Sequence, residues 1–283
     1  MESSDQQQSA NSAPRKHDIF TLADATDAIK ENGIAGITNR IVNADCLEVM
    51  KQMPDKSVDL VVTDPPYGTT NLEWDIVPNF EKLWSEMLRV GKESCAFIFT
   101  ASQPFTTDLI NSNRAMFKYE MIWEKERPSN IFLMGKQVGK THENIAIFYA
   151  SQPTFNPQKT PNGKNRTRET MQKYVGNKLK HQGGKSITSY RSDWDGSVSL
   201  PRSVLYFVRD SHAENHPTQK PVALLNNLVA TFSNKDDVIF DPFLGSGTTA
   251  VAAKQLGRNF IGIELSQRYC DIANERLRQD ILL

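Results

Sequence analysis

Asp64, Pro65, Pro66 and Tyr67 follow directly on the apolar run of residues 58–63. A buried strand that stops on a carboxylate, two prolines and an aromatic ring sets all four at the carboxyl edge of a sheet. Open α/β folds bind ligands at that edge. The prolines lack an N–H and have fixed φ, so the turn is stiff and its backbone carbonyls can face a ligand. Asp64 supplies an acceptor and Tyr67 a flat ring. Together they suit a planar group with an exocyclic amine, such as a nucleobase. The same residues also read as a plain strand-ending turn, because Asp before Pro is common in turns and Pro-Pro breaks strands. The quartet alone leaves both readings open.

A second constellation lies far downstream, where residues 241–249 (Asp-Pro-Phe-Leu-Gly-Ser-Gly-Thr-Thr) follow a strand and open a helix. Glycines in such a turn let the backbone approach a ligand, and helix N-terminal amides can receive its negative group. The next strand ends at Glu264, placed to bind the two ribose hydroxyls of a nucleoside cofactor. No Gly-Lys-Ser/Thr follows, which excludes a P-loop. After Gly245 and Gly247 the third glycine of a dinucleotide fingerprint is replaced by Ala250. On the glycines alone, a dinucleotide fold stays open.

The elements that must position these groups alternate. Strands are expected at 39–43, 58–63, 95–100, 119–123 and 144–149, with helical spacing at 47–53, 80–90 and 105–112. Beyond the insertion come strands at 203–208, 237–240 and 259–264, and helices at 221–232, 249–256 and 267–277. Such alternation predicts a mainly parallel sheet covered on both faces. Between 151 and 202 the periodicity dissolves. Within 157–191 the basic residues are Lys159, Lys164, Arg166, Arg168, Lys173, Lys178, Lys180, Lys185 and Arg191, against the single acid Glu169. Tyr174, Tyr190 and Trp194 are interleaved. A long insertion of this kind is functional or disordered, and a basic, aromatic-bearing one suits phosphate contact.

The 283 residues carry zero formal net charge and 39% hydrophobic residues, ordinary for a globular chain. Nucleic-acid affinity must therefore come from a local basic face. No apolar run is long enough to cross a bilayer. The polar residues 1–17 lack an apolar signal core and read as a disordered tail. Cys46, Cys95 and Cys270 are widely spaced, fitting a reducing cytoplasm rather than a zinc site or disulfide framework. No metal site is expected.

The quartet and the 241–249 segment together resemble the S-adenosylmethionine-dependent DNA amino-methyltransferases, which methylate the exocyclic amine of adenine or cytosine. Quartet first, basic insertion second and glycine loop last resembles the beta group, whose methyltransferase sheet is circularly permuted. Residues 216–221 (His-Pro-Thr-Gln-Lys-Pro) are similar to the family's cofactor-side motif ahead of the glycine strand. The resemblance covers roughly residues 41–279. It implies an α/β fold, a Rossmann-like methyltransferase sheet, circularly permuted, with an inserted DNA-recognition region. Residues 18–150 would be the catalytic half, 151–202 the target-recognition insertion and 203–283 the cofactor-binding half.

By the same resemblance, Asp64, Pro65, Pro66 and Tyr67 are catalytic and the cofactor is S-adenosyl-L-methionine. Phe243, Gly245 and Gly247 would border it, with Asp64 and Asp241 alongside, Thr248 near its methionine end and Glu264 on its ribose. Asp45 matches the position near the adenine moiety, and equally reads as a helix N-cap. His216 and Lys220 are candidates for the cofactor's carboxylate end, and Thr218 is a further cofactor-binding candidate. Lys164, Arg166, Arg168, Lys173, Lys178, Lys180, Lys185 and Arg191 would contact double-stranded DNA. The family also brings a homodimer and a cognate restriction endonuclease into view as partners. An aspartate opening the quartet leans toward adenine N6, since cytosine-N4 members more often carry serine there. The rival activities are methylation of RNA or of protein glutamine, and DNA binding without turnover. The order of motifs disfavours the former, and the intact quartet disfavours the latter.

Overall fold

The computed structural model describes residues 19–69, 75–161, 198–210 and 218–279. The first half runs β1 (Ile19–Thr21), α1 (Leu22–Asn32), β2 (Arg40–Asn43), α2 (Cys46–Met50), β3 (Val58–Thr63), α3 (Phe80–Val90), β4 (Gly91–Ala101), α4 (Phe105–Ser112), β5 (Phe117–Glu124) and β6 (His142–Phe148). A two-residue ladder follows, β7 (Thr160–Pro161) with β8 (Val198–Ser199). The chain then continues through β9 (Val204–Tyr206), α5 (Val222–Phe232), β10 (Val238–Asp241), α6 (Thr248–Gln255), β11 (Asn259–Glu264) and α7 (Gln267–Arg278).

Among the described residues, nine strands make one sheet in the order β1-β2-β11-β10-β3-β4-β6-β5-β9. All neighbours are parallel except β6, which runs against β4 and β5. The β10–α6–β11 unit from the end of the chain lies between β2 and β3. From β3 the chain proceeds outward to β4, and from β10 it proceeds the opposite way to β11. Connections that diverge from two adjacent parallel strands leave a crevice at their carboxyl ends, the usual ligand site of an open α/β sheet.

Both faces of the sheet are buried, which is why β3 reads as a near-continuous apolar run. Val61 faces a core closed by α1 to α4, through Ala25, Val49, Leu83, Trp84 and Phe105. Leu60 and Val62 face the opposite core, closed by α5 to α7 through Leu224, Leu228, Ala253 and Ala273. Trp84 packs its ring on Phe97, Phe99 and Phe148, and its Nε1 donates to Ser112 Oγ at 2.8 Å, so the buried indole is satisfied.

Two features depart from the expected elements. Residues 19–32, to which no element was assigned, form β1 and α1. Their signal was local: Thr21 Oγ1 accepts from the Asp24 amide at 3.2 Å and Asp24 returns the bond to the Thr21 amide at 2.9 Å, a reciprocal capping box. The opening of the insertion is also ordered. Asn156 bonds the carbonyls of Thr231 and Ser233 at 2.7 and 2.9 Å, and Phe155 packs edge-on against Phe232. Cys46, Cys95 and Cys270 are buried in the cores. No helix among the described residues is long and apolar enough to cross a membrane.

Candidate active site

The crevice at the ends of β3 and β10 opens into a cleft of about 730 Å³. A buried hydrogen bond of 2.6 Å from Thr63 Oγ1 to Asp241 Oδ1 ties the two strand ends together at its floor. Asp64, Pro65, Pro66 and Tyr67 line one wall, and Asp241, Phe243, Gly245, Thr248 and Glu264 line another. Asp45, Thr218 and Lys220 also reach it. Gly247 lies behind the glycine loop, packed on α7. His216 and the basic candidates Lys164, Arg166, Arg168, Lys173, Lys178, Lys180, Lys185 and Arg191 fall outside the described residues.

Asp64 is held by three donors. The Tyr67 hydroxyl donates to Oδ1 at 2.5 Å, the Thr100 hydroxyl bonds the same oxygen, and the Lys220 ammonium meets Oδ2 at 2.5 Å. Tyr67 is fixed from both ends, because its ring also stacks on Phe105 with centroids 5.1 Å apart. Burial, reinforced by the negative charge of Asp64, pushes its phenol well above 10, so it stays a donor. Beyond the quartet, Asp75 accepts the amides of Gly68 and Thr69 at 2.8 and 2.9 Å and closes the turn.

The glycine loop is bent by left-handed residues, Gly245 at φ 55° and Gly247 at φ 85°. A side chain at Gly247 would stand 2.7 Å from Ala273 Cβ, so the close approach of loop and helix requires glycine there. Glu264 accepts the Gly245 amide at 2.8 Å and the Ser266 amide at 2.7 Å. Burial still raises its pKa above the ordinary value. Arg276 of α7 donates to the Ser246 carbonyl at 2.6 Å and to Thr248 Oγ1 at 3.1 Å, locking the loop from behind. Asp241 is almost fully buried, and desolvation lifts it from 3.8 to about 6 despite hydrogen bonds from Thr249, Thr63 and the Phe243 amide.

Two placements sharpen the sequence reading. Asp45 is an N-cap, accepting from the Leu47 amide at 2.8 Å and the Glu48 amide at 3.2 Å, while it also lines the cleft. Lys220, a candidate for the cofactor's carboxylate end, is paired with Asp64. Several participants were not singled out in the sequence. Thr100 is the penultimate residue of β4, so the carboxyl-edge rule that found Asp64 would also have found it. Glu143 is the second residue of the reversed strand β6, and Arg276 sits on an amphipathic closing helix; neither carries a motif.

The arrangement offers a fixed acceptor and rigid carbonyls on one side, and close backbone approach with a carboxylate on the other. That equips one cleft for a planar amine and a nucleoside-bearing cofactor together.

Known proteins share this fold. A family model described as DNA methylase matches residues 58–275. The Type II methyltransferase M1.MboII of Moraxella bovis is 29% identical over 264 residues, 85% of this chain and 97% of the relative. The solved structure of the M1.HpyAVI–SAM complex superposes with a TM-score of 0.56 at 24% identity, covering 84% of this chain and 98% of that one. The cytosine-N4-specific PvuII DNA methyltransferase superposes with a TM-score of 0.61 at 16% identity, covering 86% and 88%.

Proposed function

Since this chain belongs to the N6/N4 family of DNA methylases, we propose that it transfers a methyl group from S-adenosylmethionine to the N6 amine of adenine in a specific duplex DNA sequence. The observation that carries this reading is the convergence of the Asp64–Tyr67 turn and the Gly245 loop on one cleft.

The residues fit the cofactor. At about 730 Å³ the cleft lies within the range of cofactor and ligand sites. Gly245 allows close backbone approach, and Glu264 keeps lone pairs for ribose hydroxyls beyond its backbone bonds. When bound, S-adenosylmethionine supplies an electrophilic methyl on a sulfonium centre. The chain's own task is to prepare the nucleophile, because the lone pair of an exocyclic amine is delocalised into the base. Asp64 and the Pro65 carbonyl accept hydrogen bonds from that amine and favour a pyramidal nitrogen with a localised pair. Positioning and electrostatics of this kind account for the rate. A carboxylate is far too weak a base to deprotonate a neutral aryl amine beforehand. The proton is lost afterwards, once the nitrogen is cationic, to Asp64 or to water in the cleft. Tyr67 presents its ring to the base, which leaves the duplex to enter, at a cost of a few kcal/mol.

Adenine is favoured over cytosine by the aspartate that opens the quartet. Residues 151–202 serve as the target-recognition region, with their basic side chains on phosphates. The Type II name of the relative favours action beside a cognate restriction endonuclease.

Incubating the protein with tritiated S-adenosylmethionine and mixed-sequence duplex DNA tests the reaction. Label is expected on DNA and, after digestion, in 6-methyladenine. Label on RNA or protein instead overturns the activity, and 4-methylcytosine overturns the base assignment. Asp64→Ala should cut turnover by about a hundredfold to a thousandfold, the cost of a transition-state hydrogen-bond partner. Cofactor affinity in this variant should stay near wild type. An equal loss of affinity would make Asp64 chiefly a cofactor ligand.

A further inference from the structure

Beside the Asp64 carboxylate lies a row of charges that the reaction as described does not use. Lys220, with its side chain only 6% exposed, bridges Asp64 Oδ2 at 2.5 Å and Glu143 Oε2 at 3.4 Å. Glu143 in turn pairs its other oxygen with Lys125, whose ammonium stands 4.8 Å over the Trp123 ring. The four groups alternate in sign and sum to zero. They come from the segment after β3, the segment before α5, the start of β6 and the residue after β5. The reversal of β6 is what brings Glu143 to the carboxyl edge of its neighbours.

We propose that Lys220 and Glu143 are a positioning pair for Asp64, holding its carboxylate in the one orientation that faces a target amine. This rests on the reading of Asp64 given above. The Thr100 and Tyr67 hydroxyls occupy Oδ1 and the ammonium occupies Oδ2. The carboxyl plane is thereby locked, and the remaining lone-pair direction is left for the substrate. Glu143 holds the Lys220 ammonium beside Asp64, because its buried Oε2 has no hydrogen-bond donor and only this ammonium as an ionic partner among the described residues. Burial alone would lower the pKa of Lys220, but Asp64 and Glu143 outweigh it and the net direction is upward. Glu143 is likewise held below its ordinary value by Lys220 and Lys125, against the desolvation that would raise it. Lys220 thus stays an ammonium and is not a base. The row orients the carboxylate and does not carry protons away from it.

The sequence reading placed Lys220 at the cofactor's carboxylate, and one set of variants separates the two roles. Lys220→Met, Lys220→Arg and Glu143→Gln are assayed for steady-state methyl transfer and, by calorimetry, for S-adenosylmethionine affinity. Positioning predicts that Lys220→Met lowers kcat roughly tenfold to a hundredfold, as loss of an orienting contact does, with cofactor Kd unchanged. Lys220→Arg should recover much of that rate. Glu143→Gln should lower kcat in the wild-type background and cost nothing further in the Lys220→Met background, because the two act through one carboxylate. An unchanged kcat with weakened cofactor Kd overturns the proposal in favour of a cofactor ligand. Additive losses in the double variant overturn it in favour of separate roles. If Lys220→Met does not fold, the Arg and Gln variants still decide by the same split between kcat and Kd. If the wild-type chain labels no DNA, the underlying function fails instead.

Discussion

Replacing Asp241 with Asn should make the ligand-free protein more stable at pH 8, although it removes a charge from the cleft. The carboxyl is 3% exposed and titrates at about 6 in the fold, against 3.8 for an ordinary aspartate. A group whose folded pKa is raised binds more protons folded than unfolded between those two values. Stability therefore falls as pH climbs from about 4 to about 6, then levels off. Integrated at 1.36 kcal/mol per pH unit, the ionised carboxylate costs the fold about 1.5 kcal/mol at pH 5 and about 3 kcal/mol at pH 8. An amide escapes this cost and keeps the local bonds. Thr63 Oγ1 and the Phe243 amide both donate to Oδ1, which Asn retains. The Thr249 hydroxyl, which also bonds this carboxyl, can rotate to accept from the new NH₂. Thermal melts of wild type and Asp241→Asn across pH 5 to 8 read the difference directly. At 2–4 °C per kcal/mol, the variant's advantage should grow to about 6–12 °C at pH 8 and be about half that at pH 5. A difference that does not vary with pH, or an Asn variant less stable at pH 8, refutes the argument that desolvation dominates at this site.

Two further outcomes follow from the glycine loop. Gly247→Ala combines a left-handed φ of 85° with a Cβ 2.7 Å from Ala273 Cβ, an anchored neighbour. It should cost about 2–4 kcal/mol in urea denaturation, whereas a loop free to shift would show almost none. Glu264→Gln turns an amide NH₂ toward one of the two backbone N–H groups that its oxygens now accept. Calorimetry should show S-adenosylmethionine binding weakened roughly tenfold to a hundredfold, the cost of a ribose hydroxyl losing a charged acceptor; unchanged affinity would mean the carboxylate only shapes the loop.

Much of this was legible in the chain itself. Apolar runs such as Val58–Thr63 are continuous because both faces of their strands are covered, and that burial is written in residue type. The Asp64 quartet and the Gly245 loop announce themselves because proline and glycine restrict the backbone locally, wherever the rest of the chain goes. The three-residue edge strand β1 has too few positions to show a period, whereas α1 carries a legible local signal in the Thr21–Asp24 capping box.

What no window of sequence contains is the partner of a charge. The motif around Lys220 pointed to the cofactor's carboxylate, yet its ammonium meets Asp64, 156 positions earlier, and Glu143, which belongs to no motif. Residue type and spacing determined that a carboxylate turn and a glycine loop exist, since both are local backbone events. Only the strand order determined which groups share a cleft. Inserting β10 beside β3 and reversing β6 brings distant side chains within hydrogen-bond reach, where electrostatic coupling is decided by ångströms rather than by position along the chain.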